Sequence, residues 1–468
     1  MRIALPKGRL LGETAELLRR AGWGLSGYNA AERLYRIKSR TFPDLMAKMF
    51  HERDIPVQVA IGNYDLGICG LDWIEELLAR YPSSALVKVR NLGCGGGQLY
   101  VAASRGQGVA TAEELRSDSG VVRIASEYPN LAEAFALNLR LRRFSVVPLC
   151  GAAEVYPPES ADLVLISGRN EKELAVYGLA PVGNILSFNA FLIANRRSWE
   201  TKDLSKILDS IQREAVVSQV SSDSMATKTV GKYPAVKVTE DAVRLALPDG
   251  HQQEPTIALF NRAGIRVKDY PSESGNRRPT SSLAGVAIKV IRPQDMPLQV
   301  ANGNFDLAIT GRDWLLEHLY QFPSSPVAEL LDLKFGWVRI VAVVSKELAV
   351  DGVDSLRQHS AERSLSLRVA SEDVNIADKY ARDNRLGMYR VIPTWGASEA
   401  FLPEDADLLI ENTQTGRTLA RHGLKIIDTL FESTACLVGN TASTVSSGKR
   451  ERINSIIETL GCAVEDES

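Results

Sequence analysis

An α/β chain made of two tandem copies of one unit is predicted by three observations. The segment MRIALPKGRLLGETAELLRRAG at 1–22 returns as VRLALPDGHQQEPTIALFNRAG at 243–264, and GNYDLGICGLDW at 62–73 returns as GNFDLAITGRDW at 303–314. The offset between copies stays between 241 and 245 residues, from Arg2/Arg244 through Asp65/Asp306 to Gly178/Gly423. Such a long, near-constant offset means whole duplicated domains, since solenoid repeats recur every ~20–50 residues. Within each copy, short β-branched runs alternate with helical periods, the pattern of a parallel-rich sheet with helices on its faces.

The elements follow in order. RIALP is a strand, and LLGETAELLRRAG after it is a helix with Leu11, Ala15, Leu18 and Ala21 on one face. CGGG at 94–97 lacks dinucleotide-loop spacing and reads as a bend between two lobes. LYVAAS at 99–104, VVRIA at 121–125, FSVVPL at 144–149 and DLVLI at 162–166 are strands, with a helix over 131–143. Ser, Thr and Lys dominate 216–241, which reads as the linker between copies. The closing AVEDES reads as a frayed acidic tail.

The 468 residues are enough for two units that each bury a good core. With 55 Lys+Arg against 57 Asp+Glu the net charge is -2, so there is no global basic field for nucleic acid or an anionic membrane, and an anion site has to be local. Five cysteines without a CxxC pair and five scattered histidines suggest neither a disulfide framework nor a zinc site, and a reducing cytoplasm fits. No leader-like or membrane-length apolar run is present in the sequence, so secretion and membrane insertion are not expected.

Two loops carry chemistry. In DADLLIENTQTGRTLARHGL at 405–424, a strand ends in Glu411 and passes through Asn412, Thr413, Gln414, Thr415, Gly416, Arg417 and Thr418 into a helix. Hydroxyls, helix-start amides and a glycine that permits close backbone approach can wrap a phosphate. As a bare pattern this fits equally an ordinary strand-to-helix turn capped by Thr. In LPKGRL at 5–10, Lys7 and Arg9 flank Gly8 and would suit pyrophosphate, though two basic residues in a loop also suit a solvated surface.

LPKGRL, DIPVQVAIGNYDLGICGLD at 54–72, RIASEYPN at 123–130 and above all GASEAFLPEDADLLIENTQTGRTLARHGL at 396–424 resemble ATP phosphoribosyltransferase, the first enzyme of histidine biosynthesis. The likeness spans nearly all of both copies, each the length of the family's short form. It implies two tandem bilobal units similar to the type II periplasmic-binding-protein fold. The first would cover 1–215 (lobes 1–93 plus 180–215, and 94–179), the linker 216–241, and the second 242–464 (lobes 242–335 plus 425–464, and 336–424). It also implies that ATP N1 displaces pyrophosphate from the ribose C1 of phosphoribosyl pyrophosphate, with Mg²⁺ accompanying the phosphates. Lys7, Arg9 and Arg33 would be the catalytic cations. Gly8, Glu399, Glu411, Asn412, Thr413, Thr415, Gly416, Arg417 and Thr418 would bind substrate, Glu411 standing where the family more often has Asp. A regulatory subunit resembling histidyl-tRNA synthetase is the implied partner, with a homo-oligomer or an intrachain pseudo-dimer as the assembly.

Each copy departs from the family in a different half. In the first, Asn170, Glu171 and Glu173 replace Thr415, Gly416 and Thr418, putting carboxylates in the phosphate cradle. In the second, Asp249 and His251 replace Lys7 and Arg9. One composite site drawn from both copies is therefore expected, with its mirror image abandoned. Independent decay of both copies, leaving a catalytically silent nucleotide-binding regulator of a related enzyme, is the alternative.

Overall fold

In the computed structural model, residues 1–29, 35–107, 115–116, 120–215, 241–273, 275–362, 366–442 and 445–465 are described. The linker expected over 216–241 falls outside them except for Asp241, and so does Arg33.

The first strand, Arg2–Lys7, buries Ile3, Ala4, Leu5 and Pro6 between two layers, as an apolar run in the middle of a covered sheet must. It lies parallel to Met46–His51 and to Leu66–Gly70, and Ala190–Asn195 returns antiparallel between Leu66–Gly70 and Leu86–Asn91. Helix Leu11–Arg20 covers the sheet with Leu11, Thr14, Leu17 and Leu18, a stripe turned slightly from the expected one. Glu13 in its first turn and Arg19 and Arg20 in its last complement the helix dipole.

The second lobe is a five-stranded mixed sheet. Gly97–Ser104 runs antiparallel to Leu179–Phe188 and Leu163–Gly168, and Val122–Ser126 and Phe144–Pro148 continue in parallel. The chain crosses out near 94–97 and back at Asn189, later than the expected residue 180, because all of Leu179–Phe188 pairs along the second-lobe edge through two bulges. The second copy repeats this around Val243–Pro248 and Val338–Ser345, returning at Thr434 rather than 425. The expected acidic tail is helical as far as Glu465: Ser447–Glu465 is one helix with Ala463 and Val464 buried, since these apolar residues have a core to join.

The copies meet head to tail, the first lobe of each against the second lobe of the other. Ala4, Phe50, Ile55 and Tyr64 share a core with Phe401, Leu402, Leu409 and Leu419, and Leu149, Tyr156 and Val164 share another with Ala246, Ile291 and Phe305. Equivalent ion pairs mark the pseudo-two-fold relation: Lys48 to Asp405 at 2.8 Å and Glu404 at 3.1 Å on one seam, Lys289 to Glu159 at 2.8 Å on the other.

Candidate active site

The strand Leu408–Thr413 delivers its C-terminal end to a loop that Gly416, at φ +69°, turns into the helix Arg417–Arg421. Thr413 Oγ1 accepts the Gly416 N–H at 3.0 Å and Thr415 Oγ1 the Arg417 N–H at 3.4 Å. Asn412, Gln414, Thr415, Arg417 and Thr418 are exposed along it. The helix is only five residues long, so attraction for an anion rests on amides, hydroxyls and side-chain cations more than on a macrodipole.

The first copy's counterpart is closed on itself. Asn170 Oδ1 accepts the Lys172 and Glu173 N–H groups at 3.0 and 3.2 Å, and Glu173 Oε2 accepts the Arg169 N–H at 2.7 Å. A carboxylate of the chain thus takes an amide that a phosphate oxygen would otherwise compete for.

At the base of the second-copy loop, Glu411 accepts a hydrogen bond from Ser398 Oγ and another from the Asn412 N–H at 3.1 Å. Burial, then Glu399 and Glu372, push its carboxyl up to about 8. Glu399 makes no ion pair among the described residues.

Across the seam stands Lys7, at the end of the first copy's central strand, followed by Gly8 at φ +94°. Lys7 Nζ donates to Tyr35 Oη at 3.2 Å and lies 4.9 Å from that ring's centroid. Tyr35 stacks on His422 of the second copy, with centroids 5.0 Å apart and planes 14° apart. His422 directly follows Arg417–Arg421, so a chain of three side chains links Lys7 to the end of the phosphate-loop helix. Burial lowers the His422 pKa, with Glu399 opposing and Arg36 and Lys7 adding to the fall.

Arg9 is placed differently. Its guanidinium binds Glu52 at 2.9 Å and Asp72 at 2.6 Å, Asp72 also accepts from Tyr128 at 2.8 Å, and all four belong to the first copy. Burial alone would lower the Arg9 pKa, but Asp72 and Glu52 outweigh it and the group titrates higher than usual. The structure therefore links Lys7 through Tyr35 to His422 of the second copy and ties Arg9 to carboxylates of its own copy. Two residues that sequence reasoning passed over join the seam: Tyr35, and Arg53, whose guanidinium lies 4.2 Å from the Trp395 ring centroid and 5.3 Å from that of Trp73.

The mirror seam has the opposite character. Arg277, at Tyr35's equivalent place, bridges Glu154 at 2.8 Å and Asp249 at 3.1 Å, the counterparts of Glu399 and Lys7. Arg292 adds a second cation to Asp249 at 3.1 Å. The charges there neutralise one another.

The sequence model of the HisG family, ATP phosphoribosyltransferase, matches residues 51–213 and again 292–461. ATP phosphoribosyltransferase of Chlorobium phaeobacteroides is 32% identical over 230 residues, covering 48% of this chain and 72% of the relative. That of Saccharolobus solfataricus is 32% identical over 234 residues, covering 47% and 72%. Among solved structures, the ATP phosphoribosyl transferase (HisG:HisZ) complex from Thermotoga maritima aligns with 48% of this chain and 99% of its own at 23% identity and a TM-score of 0.39. With the model matched twice along its length, the chain belongs to the ATP phosphoribosyltransferase family.

Proposed function

We propose that the chain joins ATP N1 to the ribose C1 of phosphoribosyl pyrophosphate at one composite site, with the cation from the first copy and the phosphate loop from the second. The observation that carries this reading is the contrast between the seams. One is self-neutralised through Asp249, Arg277 and Glu154, while the other sets Lys7 against a neutral phenol and leaves Glu399 without an ion pair among the described residues. The Lys7 cation, without an ion pair among the described residues, suits a polyanionic substrate, because a charge-assisted hydrogen bond is worth roughly twice a neutral one, and Glu399 suits ribose hydroxyls as an acceptor.

In this reading Thr413, Thr415, Gly416, Arg417 and Thr418 hold the 5-phosphate, with Asn412 beside them. Glu411 and Glu399 contact ribose hydroxyls, and Lys7, next to the flexible Gly8, stabilises the departing pyrophosphate. Holding both substrates in line and meeting the developing charge is the whole catalytic task. Mg²⁺ enters with the substrate phosphates and offsets part of their charge. Arg9 supports the first lobe through Glu52 and Asp72 and keeps further N–H donors on a partly exposed side chain. Arg33 remains a candidate from the family resemblance. A separate regulatory subunit resembling histidyl-tRNA synthetase is the proposed partner.

Incubating the purified chain with ATP, phosphoribosyl pyrophosphate and Mg²⁺ and following the absorbance of the N1-substituted adenine tests the reading. Turnover is expected, and Lys7→Ala and Thr415→Ala should each lower kcat/KM by ~100-fold or more, in line with the loss of one transition-state contact. No turnover, alone or with the regulatory subunit, would make the chain a silent nucleotide-binding regulator instead.

A further inference from the structure

Arg339 stands on the strand Val338–Ser345, directly opposite Thr413 across the antiparallel pair, with Val341 opposite Glu411 two residues further along. Directly opposed residues project from the same face of a sheet, so Arg339, Thr413 and Glu411 share one. That face also holds the phosphate-loop helix, since Val341 packs in the same cluster as Leu419.

Among the described residues this cation has no hydrogen-bond or ion-pair partner. Its Nε is buried without a hydrogen-bond partner, and the guanidinium makes no ion pair among the described residues. Its ring neighbour, Trp337, is 5.9 Å away at the centroid. Glu432, opposite Arg339 on the other flank, accepts instead from Trp337 Nε1 at 3.3 Å. A buried, unmet donor on a permanent cation carries a desolvation cost that an anionic ligand would remove.

The first copy supplies an internal comparison. Gln98 takes the equivalent place, opposite Gly168, and its Oε1 accepts from Asn184 Nδ2 at 2.7 Å. Where the loop is closed by its own Glu173, the strand beside it carries a neutral, satisfied residue. Where the loop is lined with hydroxyls, the strand carries an unsatisfied arginine. We infer that Arg339 is a phosphate ligand of the composite site and takes the ribose 5-phosphate together with the loop from Thr413 to Thr418. This rests on the reading of that loop as the 5-phosphate cradle, and it adds a binding residue that the loop motif does not contain.

Calorimetric titration of the full chain with ribose 5-phosphate, with pyrophosphate and with phosphoribosyl pyrophosphate plus Mg²⁺ tests it. Arg339→Gln, which installs the first copy's own residue, should weaken both ribose phosphates by ~10–100-fold, the range of a lost charge-assisted bond. Pyrophosphate affinity should stay within about twofold. Arg339→Lys keeps the charge without the fork and should weaken ribose 5-phosphate by about 3–10-fold, which carries the test if the glutamine variant does not fold. If ribose 5-phosphate binds Arg339→Gln, or a folded Arg339→Lys, as tightly as wild type while Thr415→Ala loses it, Arg339 is not a ligand and the loop reading survives. If Thr415→Ala also binds it unchanged, the loop reading and this inference fall together.

Discussion

At the level of single residues, Glu411 makes a prediction with a definite sign. Its carboxyl titrates near 8 in the folded protein, above the usual carboxylate range, because of burial and the facing Glu399 and Glu372. Between that ordinary range and about pH 8 the folded state holds a proton that the unfolded chain has released, so Glu411's contribution to stability falls as pH rises through the window. Glu411→Gln stays neutral throughout. The melting temperature of the variant minus that of wild type should therefore grow from about pH 5 to pH 8, and a difference independent of pH would contradict the assignment. Charge also distinguishes Lys7 from its counterpart. Asp249→Ala removes a carboxylate that two arginines already neutralise, so it should lower stability while leaving kcat/KM within about threefold, far from the loss expected on removing a transition-state contact. Much of this scale was legible beforehand, because Glu411, Thr415, Lys7 and the carboxylates of the first-copy loop all stand in short motifs. Arg339 and Tyr35 were not. Their significance comes from a cross-strand neighbour and from a ring on the other copy, each dozens to hundreds of residues away in sequence.

The two loops after Leu163–Gly168 and Leu408–Thr413 are equivalent in fold and opposite in chemistry. Position-by-position comparison foretold the replacement of Thr415, Gly416 and Thr418. It did not foretell that Glu173 would turn back to the Arg169 N–H, since a side-chain rotamer chooses among several nearby donors. The same limit applied to the basic loop. LPKGRL sets Lys7 and Arg9 two residues apart, a spacing that would share one face of a continuing strand, but the strand ends at Lys7, Gly8 turns the chain at φ +94°, and Arg9 finds Glu52 and Asp72 in its own copy. At the mirror seam Arg277 joins Asp249 of its own copy to Glu154 of the first. Removing Arg277 leaves the partly buried Glu154 without its cation while Asp249 keeps Arg292, so Arg277→Ala should lower unfolding free energy by ~2–4 kcal/mol in denaturant titrations. Phosphoribosyl pyrophosphate affinity should change by less than about threefold, as the network lies outside the composite site. A tight dependence of that affinity on Arg277 would mean that both seams bind substrate.

Over the whole molecule, duplication fixed what the sequence could reveal and concealed how the copies meet. A near-constant offset implies two copies of one unit, and the alternation of strands and helices implies α/β sheets, which recur in both halves of the fold. The head-to-tail arrangement depends on faces that look like ordinary core in one dimension: Phe50 and Phe401, centroids 5.2 Å apart, are 351 positions apart in the chain. Lys48, buried against Asp405 and Glu404, would have read as an unremarkable strand lysine. A closed, isologous pair normally presents two identical sites. Here the duplicated chain offers two seams of unlike charge, one sealed by ion pairs and one in which Lys7 and Glu399 make no ion pair among the described residues. Binding stoichiometry tests that asymmetry most directly. Titrated with phosphoribosyl pyrophosphate and Mg²⁺, the chain should take up one equivalent, lost in both Lys7→Ala and Thr415→Ala and kept in Asp249→Ala. Two equivalents per chain, or one that survives both substitutions, would contradict the account.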